Sequence, residues 1–406
     1  MGIIKSLLDT DFYKFSMGQM AFHRYPGREV KYQFICRNKE VNLVPYKDQI
    51  EKEIDDLVKL SFTKDEINYL KTVKGGIFKQ DYLNFLSNFK LDRGQVTVFV
   101  EDDNLKIEAK GDWHTSIFWE IYILSIVNEV YFRNTQPNAD KDLGRKKLQE
   151  KIQMVKELNQ GNGPKFSFME FGTRRRYSVE WQKEVCQILK SELTDNGFTG
   201  TSNVHLAMIL NIPVQGTMAH EAFQFHQGVD FLGTTSFFSS DGNQRYFHSQ
   251  QNTLKAWLSE YQGKISIALS DIFGTDAFLS ILDEDLSKRY DGLRQDSGDP
   301  FVWADKVINH YKSLGIDPKK KILVFSDGLN FQKAKDIFIR YEGQVKILFG
   351  IGTNITNDFD FKAMNIVMKM VEADGYPVVK ISDEASKAIG DKQVITEIKK
   401  HFNIGG

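Results

Sequence analysis

The sequence contains little cysteine and little proline, with two Cys and eight Pro in 406 residues. Cys36 and Cys186 stand far apart without the spacing of a metal site, and two isolated thiols are typical of a reducing compartment. We therefore expect a cytoplasmic protein. No charge sign is in excess either, because 53 Lys and Arg are balanced by 54 Asp and Glu. This balance argues against a nucleic-acid partner and against a membrane surface, since both usually select a basic excess.

A long hydrophobic run is also missing. The best candidate, residues 117–132, is interrupted by Glu120, Asn128 and Glu129 and is shorter than the ~20 apolar residues that span a bilayer. This stretch predicts a buried helix instead. Residues 1–15 include four charged side chains and offer no apolar core for a signal peptide, so we expect a soluble, internal protein.

What the sequence does have is many large apolar side chains, with 31 Phe, 15 Tyr and 5 Trp. These suit a substantial packed core, and the length favours two domains. Residues 28–37 alternate apolar and polar side chains, as do 96–100 and 105–109 on either side of a polar turn at 102–104. Period two predicts half-buried strands, and the turn predicts a hairpin. The first domain, residues 1–140, is thus expected to be a mixed α/β domain with an antiparallel sheet.

Beyond residue 140 the pattern changes. A helix is predicted over 141–159, followed by short apolar runs, most of which precede a helical pattern. Such alternation predicts a parallel sheet with right-handed crossovers. We assign 141–380 to this second domain and 381–406 to a C-terminal segment that packs back on either domain. The apolar runs are 166–170, 213–217, 265–269, 322–325 and 345–349.

A doubly wound sheet and a barrel both fit these repeated units. Polar side chains follow directly after most of the apolar runs, and in a barrel such strand ends meet at one face around one pocket. This placement favours a barrel of the α/β class, with its chemistry gathered in that pocket.

Two glycine-rich strand exits are candidate phosphate loops. Gly350 and Gly352 lie beyond the last run and precede Thr353 and Asn354, whose side chains add hydrogen-bond donors. Gly328 belongs to a similar exit with the sequence Ser-Asp-Gly. Each loop alone is better explained as a tight turn that needs glycine only for its geometry, because glycine pairs are common at such turns. Two such loops on neighbouring strands suit a sugar phosphate.

A third exit, at 294–300, is unusually polar. Asp296 is suited to hold the hydroxyls of a ribose, and Arg294 is suited to clamp a carboxylate. Ser297-Gly298 can bind phosphate, whereas Asp299-Pro300 has the pattern of a helix start with Asp as the N-cap. The helix start explains the last two residues and leaves Arg294 and Asp296 as functional candidates.

Three further exits carry arginine, histidine and aspartate. Arg174 belongs to a run of three arginines, at least one of which we expect to be solvated, and Phe171 offers a ring face to a planar ligand. His220 is a candidate base, anion ligand or nucleophile, and its position does not choose between these roles. Asp271 is a candidate to hold a Mg²⁺–pyrophosphate through water, and Asp276 is more simply a charge in the first turn of a helix.

Taken in order, six segments resemble the nicotinate phosphoribosyltransferases, in particular the bacterial and fungal members of about this length. The segments are LDTDFYK at 8–14, EFGTRRR at 170–176, GTSNV at 200–204, GTMAHE at 216–221, RQDSGDP at 294–300 and FGIGTN at 349–354. A single match would be weak, but several matches in the same order are specific.

The resemblance implies an irregular α/β (TIM-like) barrel with an appended N-terminal α/β sandwich domain, acting as a homodimer with active sites at the subunit interface. It implies transfer of the phosphoribosyl group from phosphoribosyl pyrophosphate to nicotinate. The products are nicotinate mononucleotide and pyrophosphate, in the first step of NAD salvage from nicotinic acid. ATP is the implied co-substrate that phosphorylates His220, and Mg²⁺ is the implied cofactor with Asp271 as its candidate ligand.

The resemblance also implies roles for individual residues. Phe171 would stack on one face of the pyridine ring, and Tyr13 of the partner subunit would cover the other. Arg174 and Arg294 would border the base and its carboxylate, and Asp296 would border the ribose. The remaining substrate-binding positions are Asp11, Thr217, Ser297, Gly298, Gly328, Gly350, Gly352, Thr353 and Asn354.

Three alternatives stay open at this point. The nearest is a relative with the same fold and reaction that acts on nicotinamide or quinolinate. A non-catalytic ligand-binding homologue is the second, although the presence of His220, Asp296 and Arg174 argues against it. The third is an unrelated barrel enzyme for phosphosugars, such as an aldolase, which needs a Schiff-base lysine or metal ligands at a strand end. Lys380 is the only lysine we consider for that role, and the sequence offers it no supporting partner.

Overall fold

The computed structural model describes residues 2–229, 242–384, 387–402 and 404. Within these residues no helix is both long and apolar enough to cross a membrane. The apolar stretch at 117–132 instead forms most of a helix whose side chains are almost all buried, as the sequence predicts. Its polar residues have partners: Asn128 Nδ2 donates to the carbonyl of Arg176, and Glu129 pairs with Arg133.

The helices and strands follow one another in a mixed α/β order. The helices are α1 (Phe12–Arg24), α2 (Lys47–Leu57), α3 (Lys64–Thr72), α4 (Gln80–Asn88), α5 (Trp113–Ser116), α6 (Trp119–Thr135), α7 (Lys141–Leu158), α8 (Val179–Leu193), α9 (Val204–Leu210), α10 (His220–Val229), α11 (Gly242–Tyr261), α12 (Thr275–Ile281), α13 (Glu284–Arg289), α14 (Pro300–Ser313), α15 (Phe331–Tyr341), α16 (Thr353–Thr356) and α17 (Lys392–His401). The strands are β1 (Glu29–Cys36), β2 (Val96–Glu101), β3 (Asn104–Asp112), β4 (Phe168–Glu170), β5 (Phe198–Thr201), β6 (Ile267–Leu269), β7 (Gly292–Gln295), β8 (Ile322–Phe325), β9 (Lys346–Ile351), β10 (Ile366–Ala373) and β11 (Tyr376–Pro377).

The first sheet is antiparallel, with five strands in the order β11-β10-β1-β3-β2. The predicted hairpin is confirmed, because β2 and β3 pair with Val98 opposite Ile107. In β1, Val30, Tyr32 and Phe34 are buried on one face, as the period of two predicts. Two strands of this sheet, β10 and β11, come from beyond residue 365, and β10 pairs with β1 over seven residues. The expected second domain, 141–380, therefore contributes strands to the sheet of the first domain. Pairing between strands that are more than 300 residues apart cannot be predicted from the local pattern of side chains.

The second sheet is parallel, with six strands in the order β5-β4-β9-β8-β7-β6. Four of the five predicted apolar runs become β4, β6, β8 and β9, with ends that move by one or two residues. The prediction of a strand at 213–217 is wrong. This run touches the sheet through an isolated bridge between Val214 and Thr201, with hydrogen bonds on either side of it.

The parallel sheet confirms the α/β class. Among the described residues β5 and β6 do not pair, so the ring of strands is open between them and a closed barrel is not seen. The sequence predicts a strand exit at 294–300 with no apolar run before it, because the residues of β7, Gly-Leu-Arg-Gln, lack the apolar run of its neighbours; Arg294 and Gln295 lie inside the strand. It is nevertheless fully buried between β6 and β8.

Helix α14 illustrates how local sequence sets the edges of these units. The side chain of Asp299 accepts hydrogen bonds from the backbone N–H groups of Phe301 and Val302, and Pro300 occupies the first turn, as predicted. Gly315, with φ of +70°, follows the last turn, where a left-handed residue ends a helix at little cost. The carboxyl end of β7 and the start of α14 are thereby fixed on either side of 296–298.

Candidate active site

A central pocket opens where the carboxyl ends of β4, β7, β8 and β9 meet the N-terminal end of α1. Such strand ends are where α/β folds place their ligands. The pocket combines aromatic, cationic, acidic and glycine positions. Its lining residues are Asp11, Tyr13, Phe171, Arg174, Arg175, Ser202, Gly216, Thr217, Arg294, Asp296, Ser326, Gly328, Leu329, Gly350, Gly352 and Thr353.

Most of the residues singled out from the sequence meet in this pocket. Those it brings together are Asp11, Tyr13, Phe171, Arg174, Thr217, Arg294, Asp296, Gly328, Gly350, Gly352 and Thr353. Those outside its lining are His220, Asp271, Ser297, Gly298 and Asn354. Of the latter, Asn354 accepts from the backbone N–H of Phe331 through its side-chain oxygen, at 3.3 Å.

Phe171 packs closely against the two glycines at the end of β9, its ring against Gly350 and its backbone against Gly352. A Cβ on Gly350 would lie 2.7 Å from Cδ2 of Phe171, closer than real side chains approach. A Cβ on Gly352 would lie 3.1 Å from the carbonyl oxygen of Phe171. The absence of side chains there lets Phe171 pack closely against the end of β9 while it lines the pocket.

Tyr13 lies in the same pocket as Phe171, and both belong to one chain. Its hydroxyl donates to Oε2 of Glu120 at 3.3 Å, and only 7% of the residue is exposed. The expectation that Tyr13 of a partner subunit covers the base stays a prediction, while Tyr13 of the same chain already lines the pocket. The backbone N–H of Phe12 donates to the carbonyl of Ser202, which ties the start of α1 to the exit of β5.

Two arginines reach the pocket from β7 and from the turn after β4. Nη1 of Arg294 donates to Oγ1 of Thr217 at 2.8 Å, while its buried Nε has no hydrogen-bond partner among the described residues. Nε of Arg174 is 3.8 Å from Oδ2 of Asp11. A buried, unsatisfied guanidinium N–H is costly unless a ligand accepts from it, and carboxylate is the usual acceptor.

The expectation of a solvated arginine in the run at 174–176 is not met by Arg176. This side chain is fully buried, and its Nη1 and Nη2 donate to the two carboxylate oxygens of Asp9 at 2.6 and 2.8 Å. The bidentate pair fixes the N-terminal segment against the end of the parallel sheet. It thereby helps to place Asp11 and Tyr13 in the pocket.

His220 begins α10 and forms a buried dyad with Asp271. Nε2 of His220 is 2.6 Å from Oδ1 of Asp271, and Nδ1 is 3.7 Å from Oδ2 of Asp296. Burial, together with the nearby Lys380, lowers the pKa of His220 to about 4, while Asp271 and Asp296 oppose this effect. A neutral imidazole that donates Nε2–H to Asp271 carries its lone pair on Nδ1, which makes Nδ1 the nucleophilic atom.

Asp271 does not fit as a magnesium ligand. Its Oδ2 accepts from Oγ of Ser297 at 2.7 Å and lies 3.1 Å from Nζ of Lys380, while its Oδ1 faces His220. Burial would raise the pKa of Asp271, but Lys380 and His220 hold it well below the usual value. Within the described ranges, no cluster of three His, Cys, Asp or Glu side chains is placed to hold a metal ion.

Ser297 and Gly298 face away from the central pocket. Oγ of Ser297 bonds to Asp271 and accepts from the backbone N–H of Asp383. A Cβ on Gly298 would lie 2.9 Å from Cβ of Asp383. Their expected contact with phosphate is not supported by this placement, which instead ties the exit of β7 to the segment after β11.

A cationic cavity adjoins the central pocket and shares Arg174, Arg175 and Asp296 with it. It lies between the two sheets, since Arg37 follows β1 and Lys369 belongs to β10. Burial lowers the pKa of Lys369 to about 8, although the facing Glu120 opposes this effect. The cationic side chains lining this cavity are Arg37, Arg174, Arg175, Lys333, Lys369, Lys380 and Lys387.

Most of these cations escaped the sequence analysis. The sequence predicts no partner for Lys380, yet its Nζ lies 3.1 Å from Oδ2 of Asp271 and 3.9 Å from Oδ2 of Asp296. Its position after an apolar pair was the only signal. Arg37 directly follows the alternating strand β1 and Lys369 lies in the alternating strand β10, and the pairing of these strands brings both residues to the site.

Comparisons with known proteins agree with this geometry. The model of the nicotinate phosphoribosyltransferase (NAPRTase) family matches residues 166–406, and the model of the family's N-terminal domain matches residues 8–128. The nicotinate phosphoribosyltransferase of Burkholderia mallei is 42% identical over 99% of this chain and 97% of its own. That of Bordetella pertussis is 42% identical over 96% of this chain and 92% of its own.

A solved structure gives the same result in three dimensions. The crystal structure of nicotinate phosphoribosyltransferase from Vibrio cholerae superposes with a TM-score of 0.91 at 37% identity, covering 100% of this chain and 95% of that chain. The family models, the sequence relatives and the shared fold all extend over the residues that line the central pocket. The chain belongs to the nicotinate phosphoribosyltransferase family.

Proposed function

We propose that this protein transfers the phosphoribosyl group of phosphoribosyl pyrophosphate to nicotinate, forming nicotinate mononucleotide and pyrophosphate. The observation that carries the proposal is the central pocket of a chain in this family. In it Phe171 and Tyr13 line one pocket together with Arg174, Arg294 and Asp296. Nicotinate mononucleotide is a precursor of NAD, which places the reaction in NAD biosynthesis from nicotinic acid.

Nicotinate would be held by stacking and by charge. Phe171 and Tyr13 offer ring faces for the pyridine, and offset stacking favours a planar aromatic ligand. Nε of Arg294 has no hydrogen-bond partner among the described residues, which indicates that the ligand carries an anionic group. Arg174 adds a second guanidinium to the pocket. Two guanidinium groups favour the carboxylate of nicotinate over the neutral amide of nicotinamide, because an amide cannot neutralise them.

The transfer needs no nucleophile from the protein. The lone pair of the pyridine nitrogen forms the new bond to carbon 1 of the ribose, and the bond from carbon 1 to pyrophosphate breaks with its electrons leaving on pyrophosphate. Positive charge develops on the ribose ring as this bond weakens. The carboxylate of Asp296, with 30% of its side chain exposed, is placed to stabilise that charge. No proton has to move.

The phosphates would lie along the glycine exits and in the cationic cavity. Gly328, Gly350, Gly352 and Thr353 line one wall of the pocket, where the 5-phosphate is expected. The cavity that adjoins it is lined by seven cationic side chains, Arg37, Arg174, Arg175, Lys333, Lys369, Lys380 and Lys387, against three acidic ones, Asp296, Asp327 and Glu384. Such an excess of positive charge suits pyrophosphate, which carries several negative charges.

ATP is proposed to act through His220. Nδ1 of His220 attacks the γ-phosphorus of ATP, the bond to ADP breaks, and hydrolysis of the phosphohistidine later releases phosphate. The neutral imidazole is supported by the pKa of about 4, and Asp271 holds its Nε2–H. Asp296 and Lys380 lie next to the dyad and also line the cationic cavity. A change of charge at His220 would therefore change the electrostatic potential in that cavity.

The proposed cofactor, assembly and location follow from membership of the family. Mg²⁺ remains the proposed cofactor, without a ligand assigned among these residues. A homodimer in the cytoplasm is the proposed assembly and location. Since one chain already supplies Tyr13 and Phe171 to its own pocket, we expect each subunit of such a dimer to bind nicotinate on its own.

The deciding experiment is a product assay with purified protein, phosphoribosyl pyrophosphate and Mg²⁺. Nicotinate, nicotinamide and quinolinate are offered in turn, each with and without ATP. The expected result is nicotinate mononucleotide from nicotinate, formed faster with ATP. Product from one of the other bases alone would reassign the substrate, and no product from a folded sample would favour a non-catalytic homologue.

A further inference from the structure

Lys14 is buried between two carboxylates that come from different helices. Its Nζ lies 2.6 Å from Oε2 of Glu120 on α6 and 2.5 Å from Oε2 of Glu221 on α10, and its side chain is fully buried. We call these three residues the Lys14 cluster. The cluster lies outside the lining of the central pocket, and the transfer reaction as described does not use it.

One side of the Lys14 cluster contacts the pocket. Oε2 of Glu120 accepts from the hydroxyl of Tyr13 at 3.3 Å, and Oε1 lies 4.0 Å from Nη1 of Arg174. Both of these side chains line the pocket. A single carboxylate therefore orients one aromatic and one cationic wall of the site proposed for nicotinate.

The other side of the cluster contacts the helix of the dyad. Glu221 directly follows His220 at the start of α10. Its Oε1 accepts from Nε1 of Trp113 at 3.3 Å and from the hydroxyl of Tyr32 at 3.5 Å. Glu221 thus ties the first turn of α10 to α5, to β1 and, through Lys14, to α1.

The ammonium group of Lys14 is needed to keep the carboxylates of Glu120 and Glu221 close together and ionised. Glu120 and Glu221 are each only about 5% exposed at the side chain, and two buried carboxylates repel one another. Burial would raise the pKa of Glu120, but Lys14, Lys369 and Arg174 lower it to about 2. Burial raises the pKa of Glu221, and Glu120 adds to the effect. Without the ammonium group, one carboxylate must take a proton or move.

We infer that Lys14 is a positioning residue that couples the nicotinate pocket to the helix carrying His220. Through Glu120 it sets Tyr13 and Arg174, and through Glu221 it holds the first turn of α10. The inference rests on the proposed function in that nicotinate is the ligand of the pocket. It assigns to Glu221 an effect on nicotinate binding, although Glu221 is not part of the pocket lining.

The test is a double-mutant cycle on nicotinate affinity, measured by titration calorimetry in the absence of ATP. Lys14→Met and Glu221→Gln are each expected to weaken nicotinate binding by about tenfold, as contacting residues often couple by this amount. The double variant should bind no more weakly than Lys14→Met alone, because the path from Glu221 to the pocket is already cut.

Two controls separate positioning from loss of stability. Glu260→Gln removes another buried carboxylate that contacts α1, through His23, and should leave nicotinate affinity unchanged. Lys14→Arg keeps the charge and should retain most of the affinity even if Lys14→Met folds poorly. Normal nicotinate binding by a folded Glu221→Gln variant, or additive effects in the cycle, would overturn the inference alone. A wild-type protein that binds no nicotinate would overturn the proposed function with it.

Discussion

Nε2 of His220 lies 2.6 Å from Oδ1 of Asp271, and both side chains are buried. Asp271 is held ionised by Lys380 and by the same histidine, which keep its pKa well below the usual value. The carboxylate therefore fixes the tautomer of His220, with the proton on Nε2 and the lone pair on Nδ1. This dyad joins α10 to the exit of β6 and accounts for a residue that the sequence presented as a metal ligand.

Removal of the charge on Asp271 should impair phosphorylation of His220. In Asp271→Asn the amide no longer favours the proton on Nε2, so we expect the rate of phosphohistidine formation from ATP to fall by roughly 10²-fold. The measurement is incorporation of acid-labile phosphate from γ-labelled ATP. The matched control is Asp276→Asn, an exposed carboxylate in the first turn of α12 that pairs with Lys306. Equal labelling of Asp271→Asn and wild type would contradict the role of the dyad.

The pH dependence of the same reaction follows from the pKa of His220. Because this pKa is lowered to about 4, the imidazole stays neutral at physiological pH and gains a proton only in acid. The phosphorylation rate should be constant from roughly pH 6 to 8 and fall only as the pH drops towards 4.

Lys380 provides a check on the cause of that pH profile. Since Lys380 disfavours a second positive charge nearby, Lys380→Met should raise the pKa of His220 and move the fall to higher pH. A profile that already falls near pH 6.5 in wild type would show an ordinary histidine and contradict the assignment.

Asp296 should matter for transfer more than for base binding. We expect Asp296→Asn to lower kcat by about 10²–10³-fold, since the amide cannot stabilise positive charge on the ribose ring. Nicotinate affinity measured by calorimetry should change little. A kcat within threefold of wild type would remove Asp296 from the transfer step.

Gly350 should be intolerant of a side chain because of Phe171. The added Cβ of Gly350→Ala would lie 2.7 Å from the ring, so the ring must move and nicotinate KM should rise by about tenfold. Gly163→Ala is the matched control, because a Cβ there meets no atom within 4 Å. Equal KM values for the two variants would show that Phe171 does not bind the base.

The position of Tyr13 predicts the outcome of mixing two inactive chains. If each chain completes its own pocket, Tyr13→Ala chains mixed with Asp296→Asn chains should give no activity beyond the sum of the two. Subunit exchange is verified first by labelled chains. Recovery of activity in the mixture would restore the shared site that the family resemblance implies.

Much of the fold was open to prediction because its causes are local. The hairpin of β2 and β3 follows from alternation around a polar turn, and the start of α14 follows from Asp299 and Pro300. Strand β7 was missed as an apolar run because Arg294 and Gln295 are polar, even though they are buried. Arg294 lines the central pocket, so this central strand carries a polar side chain where an apolar one is usual.

The sequence by itself determined the family, the α/β class and most of the pocket, since short motifs at strand ends carry these properties in adjacent residues. Only the tertiary structure decided which charges share a site. Lys14 and Glu221 are 207 residues apart, and Lys380 reaches Asp271 only because β10 and β11 return to the first sheet. The partners of a charged side chain depend on which groups are buried beside it, because buried charges are no longer solvated by water. Packing between segments that are distant in the sequence sets those partners.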